Sequence, residues 1–168
     1  MVTKFMRRVP LAFWAHGAYN NAYFLIRDLR PVLHPRRRIM RLFDILGPVM
    51  VGPSSSHTAG AVRIGLTARK LLGDQPVHAD ISLHGSFALT GHGHGTDCAL
   101  IAGLLGMQPD DLRIPGSFAI AAEQGLTFAF QNVQLRNAHP NTARLQLTDA
   151  KGRTLDIVAE SVGGGRIR

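Results

Sequence analysis

Residues 77–84 alternate without interruption. Val77, Ala79, Ile81 and Leu83 are apolar, while His78, Asp80, Ser82 and His84 between them are polar. Side chains on a strand point to opposite faces with a period of two, so this run reads as a strand that buries one face and wets the other. A chain containing it needs a sheet and something apolar to lay over the dry side. Helical periodicity supplies that cover. Over 59–72, Ala61, Val62, Gly65, Leu66, Ala68 and Arg69 recur at a spacing near 3.6, and Gly73 stops the run. A second helix is expected over 96–105, with Cys98, Ile101, Ala102 and Leu105 on one face and Gly106 at its end. Pro115-Gly116 precedes a short helix reaching Gln124. Three strand-like segments follow at 126–134, 143–149 and 154–161, the last two joined by the turn Asp149-Ala150-Lys151-Gly152. The order α-β-α-α-β-β-β describes an α+β domain, with helices packed on one face of a mixed β-sheet. There is no internal repeat.

Composition narrows the class. The chain has 168 residues, 45% hydrophobic and 18% charged, which is enough apolar material for one core and excludes disordered or collagen-like chains. Cys98 is the single cysteine. That rules out a disulfide framework and any all-protein thiolate cage for zinc or iron–sulfur, and it fits a reducing compartment, hence the cytoplasm. The pI near 11.0 suggests nucleic acid until the charges are placed. Residues 1–39 hold Lys4, Arg7, Arg8, Arg27, Arg30, Arg36, Arg37 and Arg38 against Asp28, a net of +7 out of the +8 total. The rest is nearly neutral, so polyanion binding would rest on the leader alone, through the Arg36-Arg37-Arg38 run.

Residues 1–39 have no clean period and no run near the roughly 20 apolar residues of a membrane span. They form a leader expected to be disordered or non-native, with Met40 as the start of the true product. A floppy extension and a targeting or polyanion-contacting segment are the other readings, although Ser is absent and no secretory cleavage site follows an apolar core. The domain proper spans 40–168.

Three polar loops carry the chemistry. The first, Gly52-Pro53-Ser54-Ser55-Ser56-His57-Thr58-Ala59-Gly60, sits at a helix N-terminus, where free N–H groups and the helix dipole favour an anion. Its hydroxyls are neutral donors suited to a carboxylate or phosphate, and His57 can exchange a proton near neutrality. The plainer reading is that Ser56 or Thr58 caps the helix. The second, Gly91-His92-Gly93-His94-Gly95-Thr96-Asp97, is read as part of a loop over 85–95. His92, His94 and Asp97 could be metal ligands, but no fourth partner follows, and substrate contact is the better reading. The third, His139-Pro140-Asn141-Thr142, joins two strands. His78 and His84 read as structural.

These residues resemble a known family. The string Phe43-Asp44-Ile45-Leu46-Gly47-Pro48-Val49-Met50-Val51-Gly52-Pro53-Ser54-Ser55-Ser56-His57-Thr58-Ala59-Gly60 is similar to the opening of the beta chain, or beta domain, of bacterial iron–sulfur-dependent L-serine dehydratase. Gly85-Ser86-Phe87-Ala88-Leu89-Thr90, Gly93-His94-Gly95-Thr96-Asp97, His139-Pro140-Asn141-Thr142 and Ser161-Val162-Gly163-Gly164-Gly165 follow in that family's order, over residues 41–168.

The resemblance implies a component that deaminates L-serine to pyruvate and ammonia without pyridoxal phosphate. It implies an alpha chain holding a 4Fe–4S cluster through its own cysteines, with iron as Lewis acid on the substrate hydroxyl. This chain then holds no metal, and the assembly is an oligomer. His57 becomes the catalytic base. Ser54, Ser55, Ser56 and Thr58 hold the substrate carboxylate, and His94, Thr96 and Asn141 shape the pocket. Family members often continue into an ACT-type module beyond the glycine run, so a fragment, a truncated product or a beta chain lacking it are the options, none active alone. A second resemblance, to the allosteric substrate-binding domain of some phosphoglycerate dehydrogenases, implies instead a non-catalytic serine- or anion-binding regulatory module. No nucleic acid or membrane partner is expected of the domain.

Overall fold

Ala79, Ile81 and Leu83 are all buried beneath helices, on a strand β1 (Pro76–Gly85) whose intervening residues face the other way. The computed structural model describes residues 48–168; the leader, the Met40 start and the stretch 41–47 lie outside the described residues. β1 sits second in a five-stranded sheet of order β2-β1-β3-β4-β5. Edge strand β2 (Thr127–Val133) runs parallel to β1. On the other side β3 (Asn141–Asp149) and β4 (Thr154–Gly163) are antiparallel, and β5 (Arg166–Ile167) closes the row.

Register explains the two faces. Ile81 lies opposite Phe130 on one side and Leu145 on the other, and Leu145 lies opposite Ile157. One residue along, Asp80 and Gln146 face solvent, and Arg144 pairs with Asp156 at 2.6 Å. That ion pair is exposed and screened by solvent, so the dry face dominates the sheet's stability. Fully burying a side chain such as Ile81 or Leu145 is worth about 1.5–3 kcal/mol.

The helical layer covers the dry face only. α1 (Ala61–Leu72) follows a wide π-helical turn (Ser55–Gly60) and ends at Gly73 in the left-handed region, φ 84°. α3 (Thr96–Leu104) crosses α1 so closely that a Cβ on Gly65 would strike the Leu100 carbonyl, and one on Gly103 the Val62 carbonyl. A single-turn 3-10 helix (Ile114–Gly116) leads into α4 (Ser117–Glu123), whose Phe118 packs on Phe128 and Phe130 of β2.

Two readings of the sequence change. The segment expected as a loop between β1 and the next helix is itself a helix, α2 (Ser86–His94), so the order is α-β-α-α-α-β-β-β-β. Its glycines hide it, but Phe87 is fully buried and the Ser86 N–H donates to the Pro140 carbonyl at 2.7 Å, which pins the first turn. The apolar stripe expected on α3 is also wrong. That helix is enclosed almost all round, including Thr96 and Asp97, while Cys98 and Leu105 are its less buried positions. Among the described residues no helix is long and apolar enough to cross a membrane.

Candidate functional site

The site is built where three segments meet above the C-terminal end of β1. Gly85 turns the chain there, at φ 58°, and a Cβ on it would come within 2.6 Å of the Pro140 carbonyl oxygen. That close approach joins the start of α2 to the 139–142 segment. Gly85 and Asn141 are register partners across β1 and β3. The third segment is the serine turn before α1, fastened to β4 by the Ser161 hydroxyl, which donates to the Ser56 carbonyl at 2.9 Å.

Within the serine turn, Ser54 is the cap. Its backbone is extended and its Oγ accepts from the His57 N–H at 3.2 Å, so the capping role falls to Ser54 rather than to Ser56 or Thr58. The turn itself is π-helical, a wide geometry that lifts side chains out of ordinary helical register and recurs at functional sites. It presents the His57 ring to a cage of hydroxyls. Nδ1 lies 3.3 Å from Ser54 Oγ and 3.2 Å from Ser56 Oγ, and Nε2 lies 3.0 Å from Ser86 Oγ. Phe87 meets the ring edge-on at 5.3 Å, and His94 does so at 5.0 Å between ring centroids.

This environment sets the protonation of His57. The residue is 8% exposed, and burial is the main cause of a pKa lowered from 6.5. The neighbouring His94 pushes the same way, and the Ser86 backbone pulls back. A neutral imidazole at pH 7 is the form that can accept a proton.

The other expected site residues fall around this cage. Ser54, Ser56 and His94 are in it; His94, the last residue of α2, is exposed on its rim. Ser55 opens the turn, half-buried, outside the ring's hydrogen bonds. Thr58 is 2% exposed and packed against Gly52, where a Cβ would come within 2.5 Å of Thr58 Oγ1. Thr96 is fully buried at the start of α3. The Asn141 Nδ2 lies 3.5 Å from the Ser161 carbonyl. Three buried side-chain atoms have no hydrogen-bond partner among the described residues: Thr58 Oγ1, Thr96 Oγ1 and Asn141 Oδ1. Each orphan costs about 1–3 kcal/mol, and such groups call for an explanation beyond stability. All three belong to residues singled out from the sequence.

Ser86 is the site residue that sequence reasoning missed. Its signal was the run beginning at Gly85, but only the turn of β1 into α2 aims its hydroxyl at His57. His78 and His84, read from the sequence as structural, are both held in local hydrogen bonds. His78 bonds Thr127 and Asp80, and His84 Nδ1 accepts the Leu135 N–H at 3.2 Å. A cavity of ≈ 620 Å³ lies at the far end of α1, between Arg69, Lys70, Asp74 and Gly106, and contains none of the site residues.

Residues 41–117 match the family described as serine dehydratase beta chain. The chain belongs to that family. It is 49% identical over 126 residues to a Bacillus subtilis (strain 168) protein named "Probable L-serine dehydratase, beta chain", covering 75% of this chain and 57% of that one. It is 43% identical over 127 residues to the L-serine dehydratase beta chain of Peptoniphilus asaccharolyticus, with the same coverage. To the L-serine dehydratase of Streptomyces coelicolor it is 34% identical over 148 residues, 74% of this chain and 32% of that one. The chain thus spans a little over half the length of the beta chains it matches.

The donor set of this beta chain does not fit an iron–sulfur cluster. Cys98 is its single cysteine, and burial followed by the Asp97 carboxylate pushes that thiol up, away from the thiolate a cluster ligand needs. Among the described residues no three His, Cys, Asp or Glu side chains gather to hold a metal.

Proposed function

We propose that this chain is the beta component of an iron–sulfur-dependent L-serine ammonia-lyase. It supplies the substrate-binding loops and the base to a site completed by an alpha chain that carries the 4Fe–4S cluster. The observation that supports this reading best is the His57 ring, nearly buried, its pKa lowered by that burial, and ringed by Ser54, Ser56 and Ser86.

The chemistry is an α,β-elimination. His57 takes the proton from the α-carbon of L-serine, the electron pair of that C–H bond becomes the α,β double bond, and the β-hydroxyl leaves and is protonated to water. The 2-aminoacrylate released tautomerises to the imine, and a water molecule hydrolyses it to pyruvate and ammonia. Ser54, Ser55, Ser56 and Thr58 hold the carboxylate with neutral donors. His94, Thr96 and Asn141 shape the pocket. The orphaned oxygens of Thr58, Thr96 and Asn141 gain partners when substrate or the second chain arrives. In this reading no described residue of the chain is assigned to the departing hydroxyl, and that role falls to the partner. The oligomer works in the cytoplasm, where a cluster survives.

The test is anaerobic co-purification of the chain with a cysteine-rich alpha chain. The expected result is a coloured complex that releases pyruvate from L-serine, while the beta chain alone releases none. A complex that forms, holds iron and yet gives no pyruvate sinks the reading. L-Serine binding to the isolated chain without turnover in the complex points to a regulatory module instead.

A further inference from the structure

His57 is bonded at both ring nitrogens, and the hydroxyls around it decide which nitrogen carries the proton. Ser54 Oγ already accepts the His57 backbone N–H at 3.2 Å, so its own proton is free for Nδ1 or for Ser56 Oγ, each 3.3 Å away. Ser56 Oγ lies 3.2 Å from Nδ1 with a second proton to give. Two available donors crowd Nδ1, which suits a lone pair there rather than an N–H. At the opposite nitrogen the neighbour is Ser86, its Oγ 3.0 Å from Nε2. A single hydroxyl faces Nε2 where two face Nδ1, so Nε2 is the nitrogen freer to carry the proton and donate it to Ser86 Oγ.

Ser86 is itself held firmly. Its N–H donates to the Pro140 carbonyl at 2.7 Å, its carbonyl accepts the Thr90 hydroxyl at 2.8 Å, and the Gly85 turn before it has no room for a Cβ. An acceptor so fixed can orient an imidazole, because one ring nitrogen's bond determines the tautomer and so the role of the other.

We infer that Ser86 is a positioning residue for His57: it takes the Nε2 proton and thereby presents Nδ1, on the side of the Ser54 and Ser56 hydroxyls, as the nitrogen that accepts a proton from substrate. This rests on the reading of His57 as the base and extends it to the atom. It also fixes the direction of approach. The α-carbon of the substrate reaches the ring from the serine turn, displacing a seryl hydroxyl, and not from α2.

The full-length chain, labelled with ¹⁵N, gives imidazole ¹H–¹⁵N correlation spectra that distinguish the two neutral tautomers without any partner or substrate. The wild type is expected to show His57 with its proton on Nε2. Ser86→Ala is expected to populate both tautomers, and Ser86→Thr to restore the single one. A wild-type ring protonated at Nδ1 overturns the inference even if the alanine variant fails to fold, and so does an unchanged tautomer in a folded Ser86→Ala. In the complex with the alpha chain, Ser86→Ala lowers kcat about 10- to 100-fold with KM nearly unchanged, the pattern of a misaimed base; an unaltered kcat also overturns it. If the lyase reading itself fails there is no turnover to compare, and the spectra still decide the tautomer.

Discussion

Ser161 and Gly60 occupy a contact that leaves no space for one more carbon. The Ser161 hydroxyl reaches over Gly60 to the Ser56 carbonyl, and a Cβ on Gly60 would collide with Ser161 Oγ and come within 2.8 Å of its Cβ. The end of β4 is thus clamped on the turn that carries His57, although 105 residues separate the bonded pair. This is how a strand distant in the chain positions an imidazole it does not touch.

Gly60→Ala is therefore expected to destabilise the domain by roughly 1–3 kcal/mol, the usual cost of overpacking a tight site. Ser161→Gly in the same chain removes the obstacle and should restore part of that loss. Denaturant unfolding of the two single variants and the double variant measures the coupling. Simple additivity of the two single effects would mean that the contact does not exist in solution.

His57→Ala should abolish most turnover in the complex with the alpha chain. Removing a positioned base costs about 10²–10⁴-fold in rate. The ring also fills space against Phe87, so a modest loss of stability accompanies the change, and circular dichroism at 25 °C should still report a folded domain. Normal turnover in a folded His57→Ala complex removes His57 from the mechanism.

Protonation offers a separate check. Burial and then His94 lower the His57 pKa below 6.5, so activity should stay flat as pH falls through 6.5 and drop only nearer the folded value. The stability effect has a definite sign. Between the folded pKa and about 6.5 the unfolded chain binds more protons than the folded one, so stability falls as pH drops through that window and levels below it. His94→Gln removes the like charge from the rim and should move the acid limb of kcat/KM upward, toward 6.5. A limb that stays in place, or moves down, contradicts the coupling between the two rings.

Much of this arrangement was legible because its cause is local. The alternation around Ile81 names β1 and its dry face, and the Gly73 stop names the end of α1; both depend on periodicity and backbone conformation alone. α2 was not legible. Gly91 and Gly93 each cost about 1 kcal/mol of helix propensity, and no apolar period marks the segment. Tertiary forces hold it instead: Phe87 in the core and Pro140, some fifty positions on, accepting from its first turn. Ser86 was overlooked for the same reason, since its hydroxyl meets His57 only once α2 exists. The stripe on α3 misled because a helix enclosed all round has no single apolar face, and there Cys98 marked a less buried position. The serine turn was legible as a site from its residue types, but its cap was not. The helical backbone begins with a π-helical turn at Ser55, ahead of the start expected at 59, and so Ser54 takes the cap that had been assigned to Ser56 or Thr58.

Cys98 gives the last prediction, which tests the proposed placement of the cluster outside this chain. A cluster ligand must be a thiolate, whereas burial and then the Asp97 carboxylate hold the Cys98 thiol above its ordinary 9.0. The side chain is half-buried on α3, and no other thiol exists in the chain to share a cluster with it. Cys98→Ser keeps the size and exchanges a weak donor for a stronger one, so it should fold and cost no more than about 1–2 kcal/mol of stability. The iron content of the complex with the alpha chain should match the wild type, and alkylation of Cys98 at neutral pH should be slow. A complex that loses iron when this sulfur becomes oxygen would place a ligand on the beta chain, and the division of labour between the two polypeptides would have to be redrawn.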